Sequence, residues 1–134
     1  MLTQIRKTST NETREHKDMT ELAVVRFVQK LGIRPNLLGY SLLIRCILTA
    51  LKYPDSMNSL TRSLYPVVAR QQGCDVRSVE RNIRRAIDSA YEYDPERIQS
   101  IFYYKVNKPY ISEVISLAVE SIRYEAAATG SQSC

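Results

Sequence analysis

The chain has one histidine, His16, and it lies in a polar stretch near the N-terminus. A histidine-based catalytic triad or a histidine metal cluster therefore has no material here. Cysteine is nearly as scarce. Cys46, Cys74 and Cys134 are odd in number and far apart, and none belongs to a CxxC pair, which argues against a disulfide framework and against a zinc site. Cys46 reads as a small buried hydrophobe, Cys74 as a turn residue and Cys134 as a tail residue. The glycines Gly32, Gly39, Gly73 and Gly130 are isolated, so there is no glycine-rich loop to cradle a phosphate. No apolar run approaches the length that crosses a bilayer, and the opening MLTQIRKTSTNETREHKDMTE lacks the apolar core of a signal peptide. These absences point to an intracellular, cytoplasmic chain that is not an enzyme and has no cofactor, no metal and no membrane partner. The nine tyrosines do not change that reading. The histidine and lysine partners of a recombinase-type tyrosine nucleophile are not at recognisable spacing, and packing at helix edges accounts for the rings better.

What is present is helical periodicity. A length of 134 residues suits one domain. Residues 1–18 carry no apolar period and read as a disordered tail. Residues 19–128 read as a compact all-α domain of six helices, and 129–134 as a flexible C-terminal tail. Asp18 and Glu21 stand at capping-box spacing, ahead of a helix that turns Leu22, Val25, Val28 and Leu31 inward and ends at Gly32. Residues 39–53 are apolar nearly all round, which places them at the centre of the core; Gly39 eases the turn into them and Pro54 stops them. Asn58 or Ser59 caps a third helix that buries Leu60, Leu64, Val67 and Val68, with a kink or irregular turn at Pro66. Asp75 caps a fourth helix over 76–92. Asp94-Pro95 starts a fifth that ends near Tyr104, and Ser112 starts a sixth that runs to about Ala127.

Charge is unevenly spread. Residues 60–86 carry six arginines against Asp75 and Glu80, a local balance of +4, whereas residues 87–134 carry four cations against seven acids, a balance of −3. A basic middle beside an acidic C-terminal third suggests a local polyanion-binding face. The stretch VRSVERNIRRAI, residues 76–87, concentrates it. On a helical wheel Val79, Ile83, Ala86, Ile87 and Ala90 fall together, with Val76 and Tyr91 at the edges. Arg77, Arg81, Arg84, Arg85 and Asp88 fall opposite, Ser78 flanks them, and Glu80 sits near the boundary. A helix, a turn containing Gly73 and this helix form the pattern of a helix-turn-helix, whose second helix enters the DNA major groove. Arginine suits that role because its planar fork donates two hydrogen bonds to guanine or to a phosphate, and Glu80 suits acceptance from cytosine N4. The bland alternative is a solvated basic helix with Glu80 and Arg84 as an i,i+4 pair worth only about 0.3–0.5 kcal/mol.

SLTRSLYPVVAR followed by SVERNIRRAI resembles the C-terminal DNA-binding effector domain of the stage-zero sporulation response regulator family. That domain carries a similar SxTxxLYPxxA helix and a VERAIRHAI recognition helix. LGIRPNLLGYSLL, IQSIFYYKV and SEVISLAVESIRYE extend the likeness, in order, over about residues 20–126, and Pro66 is included. The resemblance implies a six-helix effector that binds short promoter elements in double-stranded DNA and regulates transcription, usually as a homodimer on DNA, in the cytoplasm and associated with the nucleoid. It implies that Glu80, Arg81 and Arg84 contact bases or phosphates. Arg85 stands where the family more often has histidine, and Ser78 where it commonly has arginine, with Arg77 beside it to take a phosphate. It also implies that the segment around Ile98 and Phe102 faces the RNA polymerase sigma factor, with core packing as the competing reading for both residues, and that the last helix dimerises. The family's usual protein begins with a phosphoacceptor receiver domain. Only a polar tail precedes the effector here, so control by phosphorylation does not carry over. The alternative function is a protein-interaction module that binds a related regulator or RNA polymerase and has weak DNA affinity.

Overall fold

The computed structural model describes the backbone of residues 17–102 and 107–133 and contains α-helices with no strand among those residues. Helix α1 covers residues 17–30, α2 Leu38–Lys52, α3 Tyr65–Gln72, α4 Val76–Tyr93, α5 Pro95–Gln99 and α6 Ile111–Ser133. The six-helix, all-α reading of the sequence holds. Most of the expected N-terminal tail, residues 1–16, lies outside the described residues. Lys17 and Asp18 are already helical, so Asp18 does not cap α1. The buried stripe of α1 is Val24, Phe27, Val28 and Leu31, while Leu22 is 48% exposed. The 24/27/28/31 spacing closes a single helical face, and a stripe begun at Leu22 leaves Phe27 outside it. Gly32 ends the helix in the left-handed region at φ 87°.

Helix α2 is the central element, with Leu42, Leu43, Ile44, Cys46, Ile47, Thr49 and Ala50 all buried. Thr49 is tolerated there because its hydroxyl donates to the Arg45 carbonyl at 2.8 Å. After α2, Pro54–Asn58 form a short 3-10 turn. Ser59 then caps a turn of π-helix, Leu60–Leu64, its Oγ accepting from the Arg62 N–H at 3.3 Å. The π-turn leads directly into α3 and is the irregularity expected at Pro66. Proline brings no N–H, and its ring collides with the carbonyl four residues back in a regular helix. Opening the preceding turn by one residue moves that carbonyl aside, and the Leu64 and Tyr65 N–H groups accordingly bond five residues back, to Ser59 and Leu60. Leu64, Tyr65, Val68 and Ala69 are buried. Tyr65 was not in the expected set, and Leu60 and Val67 are only partly covered.

Helix α5 is shorter than expected and ends at Gln99. The Ser100 hydroxyl donates to the Arg97 carbonyl at 2.8 Å, the acceptor that the Ile101 N–H would take in a continuing α-helix. Ile101 and Phe102 bond only three residues back, to Ile98 and Gln99. A five-residue helix does not stand alone, and α5 is tied to α1 by Arg97. Its Nε donates to the Lys30 carbonyl at 3.0 Å and its Nη2 to the Gln29 carbonyl at 3.2 Å, which places a cation on the carbonyl end of α1. In α6, Ile111, Val114, Ile115, Leu117, Ala118 and Val119 are buried, and residues 123–127 are exposed. The helix continues to Ser133, beyond the Ala127 expected. Its first turn is closed by Glu113, whose Oε1 accepts from the Tyr110 N–H at 3.0 Å.

Candidate nucleic-acid interface

Helix α4 begins where Asp75 says it should. The Asp75 Oδ1 accepts from the Ser78 N–H at 2.7 Å, and Asp75 itself has extended backbone. The turn before it is shaped by Gly73, in the left-handed region at φ 68°. The N–H groups of Gly73 and Cys74 both return to the Ala69 carbonyl, so α3 ends and α4 starts within three residues. The two helices pack on each other, and α2, α5 and α6 also rest on α4.

The side of α4 that faces those neighbours is the apolar one read from the sequence. Val79 and Ile83 are fully buried, and Ala86, Ile87 and Ala90 nearly so. Burial of a Val or Ile contributes about 1.5–3 kcal/mol each, several times an exposed ion pair on the same helix, so packing and not charge fixes the rotation of α4. The closest contact is with α2. A β-carbon added at Gly39 would run into the Asn82 carbonyl oxygen and stand 2.6 Å from the Ala86 Cβ. Gly39 therefore lies inside α2, at its crossing with α4, and does not serve the turn before it. Its φ is not positive; what is needed there is the missing side chain.

With that face buried, Arg77, Arg81, Arg84 and Arg85 are exposed on the other. Arg84 Nη2 donates to Glu80 Oε1, the i,i+4 pair anticipated in the sequence. Arg77, Arg81 and Arg85 have no carboxylate partner among the described residues. Glu80 is half-buried. Ser78 is half-buried as well, and its hydroxyl and carbonyl oxygens accept from Asn82 Nδ2 at 3.2 and 2.8 Å. Asn82 was not picked out in the sequence, although its place one turn after Ser78 is the available signal. Ile98 and Phe102 are both buried, at 1% and 8% exposure, which is the core packing weighed for them.

One flank of the site came from outside the expected set. A cleft of about 370 Å³ lies beside α4, lined by Glu80, Arg84 and Asp88, by Thr61 and Tyr65 of the π-turn and α3, and by Lys108 and Tyr110 ahead of α6. Lys108 Nζ lies 3.4 Å from Asp88 Oδ1. Burial, reinforced by the charges of Cys46 and Glu80 and opposed by Arg84, pushes the Tyr65 hydroxyl well above its ordinary range, so it stays a neutral donor. Among the described residues no group of three His, Cys, Asp or Glu side chains gathers to hold a metal, and no helix is long and apolar enough to cross a membrane. Cys46 and Cys74 are free thiols.

A capped helix with a sunken apolar face and an exposed guanidinium face, set after a three-residue glycine turn, is the arrangement that the sequence motifs suggested. Residues 24–122 match the family model described as Sporulation initiation factor Spo0A C terminal. The match covers most of the chain, and the protein belongs to that family of DNA-binding regulatory domains of a sporulation transcription factor, which is not a family of enzymes.

Proposed function

We propose that the chain is a sequence-specific regulator of transcription that lays α4 in the major groove of double-stranded promoter DNA. The observation that carries this reading is the division within α4. Val79, Ile83 and Ile87 anchor one face in the core, while Arg77, Arg81 and Arg85 stand exposed without carboxylate partners among the described residues. Groove entry needs a rigid helix whose outward side chains are free to donate. Arg81, in the second turn of α4, and Arg84, at its middle, suit guanine O6 and N7. Glu80 suits cytosine N4 through whichever oxygen Arg84 leaves open. Arg77 and Arg85 suit the flanking phosphates. Ser78, with its hydroxyl oxygen taken by Asn82, retains its O–H for a base or phosphate oxygen. α3 crosses behind α4 as the first helix of the helix-turn-helix.

Within the same reading the protein is cytoplasmic and nucleoid-associated, and it pairs with a second copy on DNA through α6, whose Tyr124 is 77% exposed beyond the core. A sigma-factor contact near Ile98 and Phe102 would use the surface over these buried side chains, where Ser100 is exposed. The effector domain is taken as residues 19–128 in this reading.

Selection of bound duplexes from a random-sequence library tests the function directly. The expected result is an enriched short element, bound at least tenfold more tightly than a shuffled duplex, with affinity falling steeply with salt at about one power of concentration per phosphate neutralised. Equal affinity for the recovered and shuffled duplexes would overturn sequence-specific binding and favour the protein-interaction alternative.

A further inference from the structure

Glu80, Arg84 and Asp88 are spaced four apart and so lie along one line of α4. Arg84 therefore has a carboxylate one turn before it and another one turn after it. In the structure it is joined to Glu80, while Asp88 is held by Lys108 at 3.4 Å. Lys108 is distant in sequence, but its backbone is well anchored. Pro109 and Ile111 are buried, and the Tyr110 N–H is bonded to Glu113 at the start of α6. All four charged groups border the same cleft.

We infer that Lys108 is a positioning residue for Arg84, acting through Asp88, and that it thereby ties the start of α6 to the DNA-reading face of α4; the inference rests on the DNA reading given above. With Asp88 occupied, Glu80 is the remaining carboxylate within one turn of Arg84. Glu80 lies toward the N-terminus of α4, the end that meets base edges in a helix-turn-helix. Without Lys108, Asp88 competes for the guanidinium and draws it toward the far end. Glu before Arg is the better order of the two pairs, so Glu80 keeps the larger share and the loss is partial. Arg81 has Arg77 and Ser78 one turn before it and Arg84 and Arg85 one turn after, so no carboxylate stands at helical-neighbour spacing from it.

The test compares the wild type with Lys108→Ala, Asp88→Ala and the double variant, all at partly exposed positions. In the free protein, the side-chain Nε–Hε cross-peak of Arg84 in a 15N spectrum, assigned by its loss in Arg84→Lys, moves in Lys108→Ala. It returns toward the Asp88→Ala position in the double variant, and the Arg81 peak stays in place throughout. On DNA, discrimination between the duplex recovered by selection and its single-base variants falls about twofold in Lys108→Ala, at the positions that Arg84→Ala relaxes, and is restored in the double variant. An Arg84 peak that ignores Lys108→Ala overturns the inference. So does an affinity loss that is uniform across duplexes and not restored by Asp88→Ala, because Lys108 is then a plain phosphate contact. If the wild type enriches no duplex, the DNA reading fails and takes the functional half of the inference with it; the cross-peaks tell that outcome apart from a Lys108 that does not position Arg84.

Discussion

Gly39 of α2 sits directly against the backbone of Asn82 in α4, so close that any side chain would meet the Asn82 carbonyl oxygen. The central helix of the core and the helix that carries the arginines thus touch backbone to backbone, and one missing side chain sets their separation.

Substituting Gly39→Ala should therefore destabilise the fold, although alanine favours a helix over glycine by about 1 kcal/mol. Overpacking of this kind costs about 1–3 kcal/mol, and here the obstacle is backbone that cannot rotate away. Gly73→Ala is the comparison. A β-carbon there meets nothing within 4 Å, leaving only the left-handed backbone cost of about 1–2 kcal/mol. Chemical denaturation should place both variants below wild type, for different reasons. A Gly39→Ala protein as stable as wild type would refute the close crossing.

Asp75 holds the first turn of α4 through the Ser78 N–H. Asp75→Ala should cost about 1 kcal/mol, and Asp75→Asn, which keeps an acceptor, much less. The two unfolding midpoints give the comparison directly. Equal losses would mean that the cap contributes through its charge and not through the hydrogen bond.

Arg81 is exposed and packs into no core position. Arg81→Ala should leave the melting temperature within a degree or two but weaken binding to the selected duplex by about 1–3 kcal/mol, with relaxed preference at one base pair. Competition titrations against single-base variants measure both quantities. A loss equal for every duplex would reassign Arg81 to phosphate.

Arg97 joins α5 to the end of α1 with two hydrogen bonds from one guanidinium. Arg97→Lys keeps the charge but cannot reach both carbonyls from one ammonium. It should lose about 1 kcal/mol of stability, the net value of a typical hydrogen bond. Arg97→Met should lose more. If Lys restores full stability, charge at the helix end is sufficient.

Alkaline pH should weaken the fold before the arginines lose charge. Burial pushes the Cys46 thiol from 9.0 up to about 12. Between those values the unfolded chain releases the proton and the folded chain keeps it. Stability is then complete below about pH 9 and falls as pH rises, by up to about 1.4 kcal/mol per unit. Tyr65, raised by burial in the same way, adds to the decline above pH 10. Cys46→Ala should flatten the pH 9–11 part of a urea-midpoint profile, after allowance for its own cavity cost at neutral pH. An unchanged slope would remove Cys46 as a cause.

The parts of the molecule legible in the sequence are those set by local chemistry. Val79, Ile83, Ala86, Ile87 and Ala90 are spaced to form one face, and they are the residues of α4 that are buried. Asp75 and Asp94 cap the helices they precede, and Pro66 forces an irregular turn wherever it sits inside a helix. Features that depend on distant partners were not legible. Nothing near Gly39 announces that Asn82 will lie against it, and nothing near Arg97 that Gln29 and Lys30 will present their carbonyls. Nothing near Lys108 announces that Asp88 will lie beside it. Leu22 failed for a related reason: α1 has more apolar residues than one face can hold, and only packing decides which are left outside.

The π-turn at Leu60–Leu64 has a geometric consequence for this family member. A turn of that kind is an α-helix with one residue too many, so it rotates everything after it by about 100° relative to what comes before. Pro66 thus acts as a phase shifter. It lets Leu64, Tyr65, Val68 and Ala69 all enter the core while Leu60, one turn earlier, stays partly covered. α3 packs on α4, so that offset decides which side of α3 α4 lies upon.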